Sequence, residues 1–129
     1  FINHLKTNNI KNIRLPVSAP FHCSLMNKAT TIMKKEIEEL KFNESKNILI
    51  SNVTANEMFD KDEIKRLLID QIENSVRWRE SVVYMTNNGV DQFIEIGPGK
   101  VLSGLIKRIN KNVKINTINT EIDIKDLQV

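Results

Sequence analysis

The run from 92 to 118 constrains the fold more than any other part of the chain. Residues 92–96 read as a short strand and Gly97-Pro98-Gly99 as a tight turn. Leu102, Leu105, Ile106 and Ile109 then mark one face of a helix, and 113–118 alternates as a second strand. Strand and helix periods in such close succession predict an α/β fold with parallel strand pairing. The rest of the chain has the same texture. Residues 12–18 place Ile13, Leu15 and Val17 at period two, which predicts a half-buried strand. Ser24 is a candidate N-cap for a helix over 25–40. Residues 47–53 form an apolar run of the kind buried on both faces of a sheet, and 54–59 read as a loop. Asp60 or Asp62 opens a helix reaching about Glu73. Asn74 or Ser75 opens another, with Trp78, Val82 and Met85 on one face and Gly89 at its left-handed end. Residues 1–11 suggest the end of a helix followed by a turn at Asn8-Asn9, and 119–129 are a weakly patterned tail.

A chain of 129 residues suits one modest domain, and 40% apolar residues suffice for a core. The net charge of +3 and an aromatic content of only 5% give no set of stacking platforms, so no nucleic-acid partner is expected. No apolar run is long enough for a membrane span. A single cysteine excludes an internal disulfide and fits a reducing, cytoplasmic setting. No signal peptide is visible at the start, and the opening on Phe1 in place of Met suggests a fragment or a processed chain.

His22 is the first candidate for chemistry. Pro20 fixes the approach to it, and an amphipathic helix follows. An imidazole on a strand-to-helix junction can take and return a proton at neutral pH; it can equally be inert. His4 has no comparable setting and reads as a surface residue. Cys23 reads as a packed thiol, because adjacent side chains entering a helix point apart. Gln71 lies on the apolar stripe with Leu67 and Leu68, where an amide must find partners. It either orients the histidine or a ligand, or bonds to backbone at a helix end. Gly97-Pro98-Gly99-Lys100 fits neither phosphate-loop pattern and reads as a structural turn. Lys100, Lys107, Arg108, Lys111 and Lys114 form a loose basic cluster, either a solvated face or a contact for an acidic partner. The two histidines and one cysteine show no metal-ligand spacing, and no Gly-x-Ser-x-Gly nucleophile elbow is present.

Four blocks together resemble bacterial malonyl-CoA:acyl carrier protein transacylase: LPVSAPFHCSLM at 15–26, ISNVTA at 50–55, QIENSVRWRESVVYM at 71–85 and EIGPGKVLSGLIKRI at 95–109. The acyltransferase domains of polyketide synthases are similar. The resemblance spans about 12–118 and implies the C-terminal part of an α/β-hydrolase-like acyltransferase core. Residues 1–13 would end the small ferredoxin-like subdomain, 14–118 would belong to the large subdomain, and 119–129 would be a tail. It implies an acyltransferase of fatty acid biosynthesis. A serine would attack malonyl-CoA and pass the malonyl group to the phosphopantetheine thiol of acyl carrier protein, with no cofactor. His22 matches the base and Gln71 the glutamine near the active site. A backbone carbonyl tends to hold the histidine in this family, and Asn52 and Val53 lie in the loop where that contact would be sought. Phe21 resembles the residue of malonyl-preferring members. The elbow serine, the arginine that pairs with malonyl and the oxyanion donors are absent here, so the chain alone is expected to be inactive. The alternatives are a non-catalytic remnant that binds carrier protein through the basic helix 101–109, or half of a split enzyme whose N-terminal part is a separate chain.

Overall fold

Local signals set most helix positions in the computed structural model, which describes residues 1–14, 16–125 and 127. Leu15, in the middle of the predicted strand 12–18, lies outside the described residues, as do Asp126, Gln128 and Val129 of the tail. The first helix, α1 (Ile2–Thr7), closes on a turn in which Asn9 takes φ 54°. The remaining residues of 12–18 form no strand, and Ile13 and Val17 stay 77% and 68% exposed. Alternation alone does not make a strand: the ladder needs a neighbour, and no described segment pairs here.

The next helix begins with a 3₁₀ turn at Ser24–Met26 and continues as α2 (Asn27–Glu39). Ser24 is not its N-cap; that position falls on Cys23, with no side-chain cap. The apolar run 47–53 contributes only β1 (Leu49–Ile50), which pairs antiparallel with β2 (Glu57–Met58). The predicted long buried strand and the predicted loop over 54–59 are thus both corrected. Ile48 is 60% exposed, and the chain after Ile50 turns back at once. Ser51 causes that turn: its Oγ accepts from the Val53 and Thr54 N–H groups at 3.1 and 3.3 Å.

Asp60 caps α3 (Lys61–Asp70), its carboxylate accepting from the Asp62 and Glu63 N–H groups. Helix α4 (Trp78–Asn87) starts from Arg77 without a side-chain cap, which corrects the assignment to Asn74 or Ser75. Asn74 serves the preceding helix instead, donating to the Asp70 carbonyl at 2.7 Å. Gly89 takes φ 90°, as a left-handed helix end requires. Then come β3 (Gln92–Ile96), α5 (Val101–Ile109) and β4 (Lys114–Ile118), with β3 and β4 parallel and in register from Gln92 opposite Lys114 to Ile96 opposite Ile118. The tail adds α6 (Glu121–Lys125), beside β4.

Two apolar cores result. In one, Met58, Ile64 and Leu67 are buried with Phe42, Val53 and Leu68 against them. In the other, Val82, Ile106 and Val113 are buried between α4, α5 and the parallel ribbon, joined by Trp78, Phe93 and Ile115. Helix α2 packs on α3. The chain is α/β, with one parallel and one antiparallel strand pair. No described helix is long and apolar enough to cross a membrane.

Candidate active site

The junction after Pro20 turns sharply. The Phe21 N–H donates to the Ala19 carbonyl at 2.9 Å, and His22 takes φ 62°, a left-handed conformation unfavourable for a residue with a Cβ. That strain aims the imidazole at the end of α3. Gln71 is the C-cap of α3, and its carbonyl is among those that a helix end leaves without an intrahelical partner. His22 Nδ1 lies 2.8 Å from it. A carbonyl can only accept, so Nδ1 carries a proton, and in the neutral ring Nε2 is the nitrogen that keeps its lone pair.

The Gln71 side chain points elsewhere: its Oε1 accepts from Asn52 Nδ2 at 3.1 Å. The amide thus bonds to a side chain of a neighbouring loop and not to backbone at a helix end, while the backbone carbonyl of Gln71 meets the histidine. The carbonyl that holds His22 belongs to Gln71 and not to the 52–53 loop. The reason is geometric, since a helix C-terminus offers an unpaired carbonyl whereas the Asn52 carbonyl already accepts from the Arg77 N–H at 2.8 Å.

Beside His22 lies an open groove of about 520 Å³ between α2 and the end of α3. Met26, Met33, Leu68 and Ile72 make it largely apolar, and Phe21, 57% exposed, stands on its wall. Asn27 Nδ2 reaches Glu73 Oε1 at 3.3 Å and ties the start of α2 to the same corner. His22 itself is exposed. Cys23 is half-buried and donates to the Pro20 carbonyl at 3.2 Å, as a packed thiol does. His4 is exposed and is not among the residues that line the groove.

Two residues went unnoticed in the sequence. Arg77 donates through Nη1 to the Thr54 carbonyl at 3.1 Å, besides its N–H bond to Asn52. Glu95 caps α5 from β3, accepting from the Leu102 and Ser103 N–H groups at 3.1 and 2.8 Å. The Ser103 hydroxyl beside it, short of full hydrogen-bond geometry, and then those N–H groups hold its carboxyl below the ordinary 4.5. Two amides of the first turn of α5 are thereby occupied, which agrees with the structural reading of Gly97-Pro98-Gly99. That turn is further pinned by Gly97 N–H on the Ile118 carbonyl and Gly99 N–H on Asn119 Oδ1, at 2.9 and 2.8 Å. A signal for Glu95 did exist, an acid shortly before a helix start; Arg77 had none.

Fold and site define a class: an α/β segment that presents a carbonyl-held histidine to an apolar groove. The chain is homologous to part of the malonyl CoA-acyl carrier protein transacylases, which are acyltransferases. The Staphylococcus aureus transacylase is 42% identical over 111 residues, 86% of this chain but 36% of its own length. An acyl carrier protein S-malonyltransferase from Vibrio cholerae superposes with a TM-score of 0.81 at 41% identity, covering 88% of this chain and 37% of that one. A malonyl-transacylase in complex with its type II polyketide synthase acyl-carrier protein gives 0.83 at 33% identity, covering 95% and 40%. The chain thus spans little more than a third of the relatives it matches. No protein-family model matches it.

Proposed function

We propose that this chain is the base-carrying, C-terminal portion of a malonyl-CoA:acyl carrier protein transacylase of fatty acid biosynthesis. The observation that carries the proposal is the bond from His22 Nδ1 to the Gln71 carbonyl, which leaves Nε2 basic at the rim of an apolar groove. His22 Nε2 takes the proton of a serine hydroxyl that this chain does not supply. The serine oxygen bonds to the malonyl carbonyl carbon, the carbon–sulfur bond breaks, and the proton passes to the departing CoA thiolate. In the second half the phosphopantetheine thiol of acyl carrier protein gives its proton to His22. The thiolate takes the malonyl group, and the serine recovers the proton. Gln71 holds the base, Asn52 supports Gln71, and Phe21 shapes the groove in favour of malonyl. The substrate is malonyl-CoA and no cofactor takes part.

Residues 1–13 are read as the end of the small subdomain, 14–118 as part of the large one and 119–129 as a tail. The setting is cytoplasmic. The serine belongs to the part of the relatives' length that this chain does not span. The bare side of the parallel ribbon supports this: Ile94 and Ile96 are 38% and 77% exposed, whereas parallel strands are normally covered on both faces. The carrier-protein reading has its own support. Lys100, Lys107, Arg108, Lys111 and Lys114 are exposed, and among the described residues none is in an ion pair.

The test is acyl transfer from malonyl-CoA to acyl carrier protein. The chain alone gives no transfer above background. Mixed with the serine-bearing remainder of the Staphylococcus aureus relative, it restores transfer. Activity of the chain alone, or carrier-protein binding with no restored transfer in the mixture, contradicts this reading; the second result favours a binding module.

A further inference from the structure

The 51–56 loop is held by more bonds than a two-residue strand pair requires. Ser51, 2% exposed, donates its N–H to the Asn56 carbonyl at 3.0 Å and accepts the Ala55 N–H at 2.9 Å. Ala55 is 4% exposed and held at φ 58°, a conformation that disfavours alanine. Arg77 brackets the loop from outside, with its N–H on the Asn52 carbonyl and its guanidinium on the Thr54 carbonyl, at 2.8 and 3.1 Å. Glu80 steadies that guanidinium through Nε at 3.3 Å. The outcome of these restraints is the direction of one side chain, Asn52, whose Nδ2 donates to Gln71 Oε1.

Gln71 needs such an anchor. It ends α3, helix ends fray, and the carbonyl that His22 uses lies just where fraying begins. Pinning the Gln71 side chain to a rigid loop keeps that carbonyl on the imidazole.

We propose that Asn52 and Arg77 are positioning residues for His22, acting through Gln71 to hold the imidazole in its Nδ1-protonated form. This rests on the reading of His22 as the base and adds how its tautomer is set. Arg77 fixes the loop, Asn52 transmits to the Gln71 amide, and the Gln71 carbonyl selects the proton position. Neither Asn52 nor Arg77 touches a substrate in this role.

Two-bond ¹H–¹⁵N correlation of the imidazole in the ¹⁵N-labelled 129-residue chain, at a pH where the ring is neutral, reads the tautomer directly. The Nδ1–H form is the majority in the wild type. Asn52→Ala and Gln71→Met, the latter keeping the carbonyl, each lower the ratio of Nδ1–H to Nε2–H forms about fivefold, the size of one hydrogen bond. The double variant goes no further than either single one, because both cut the same chain. Arg77→Ala shifts the ratio in the same direction by a smaller factor. Unchanged ratios in folded single variants, additive effects in the double variant, or an Nε2–H majority in the wild type overturn the proposal. If Asn52→Ala does not fold, Gln71→Met and the wild-type spectrum still decide. The transfer assay tests His22 as the base separately, so the two readings fail independently.

Discussion

His22 occupies a backbone conformation that a histidine adopts at a cost of about 1 kcal/mol, and the surrounding bonds explain how it is kept there. Pro20 limits the approach, the Phe21 N–H closes the turn, and the Gln71 carbonyl holds the ring. At this scale Glu95 makes the sharpest pH prediction. Its carboxyl is held low by the Ser103 hydroxyl and the Ser103 and Leu102 amides, so the folded state favours the ionised form. The stabilisation is fully present above the ordinary carboxylate value of 4.5 and is lost as pH falls through the lower folded value. The thermal midpoint therefore falls as pH drops below that point. Glu95→Gln lowers the midpoint at neutral pH and flattens part of the acid slope. Asp123, held low by the Asn119 and Thr120 groups it accepts from, and Glu80, held low by a backbone N–H and by Arg77, keep the remaining slope. An unaltered acid slope in Glu95→Gln refutes the cap's role.

Among the elements, α3 matters most to the proposed function, since its C-cap carbonyl bonds to His22. Asp60→Ala removes its N-terminal cap and costs about 1 kcal/mol, measured by urea unfolding followed by far-ultraviolet circular dichroism. The second core depends on Val82, which is fully buried. Val82→Ala costs about 2 kcal/mol, read from the fluorescence of Trp78, the chain's one tryptophan and part of the same core. How far each element could be read from sequence follows from what determines it. The 92–118 unit was legible almost to the residue, because its helix stripe, turn and strands satisfy one another locally. The strand expected over 12–18 is absent from its described residues, and that over 47–53 shrinks to Leu49–Ile50, because strands exist only with partners and periodicity does not report them. The site was half legible. His22 and Gln71 stood out by position, but the carbonyl contact is a long-range event 49 residues apart in sequence, and Arg77 had no local mark.

At the scale of the whole molecule, the exposed apolar surface fits a chain that spans about 36% of its Staphylococcus aureus relative. The bare side of the β3–β4 ribbon, and α5 with Val101 and Leu102 at 72% and 41% exposure, offer a surface for the remainder of such a protein. The proposed base sits in this chain and the proposed nucleophile in that remainder, so chemistry and assembly are one question. It is answered by the transfer rate of the mixture, malonyl-CoA to acyl carrier protein, with wild-type chain and with His22→Ala. The account predicts restored transfer with the wild type and a loss of about 10²–10⁴-fold with His22→Ala, the range for a general base. Equal rates with the two chains, or transfer by the wild-type chain without the remainder, would contradict it.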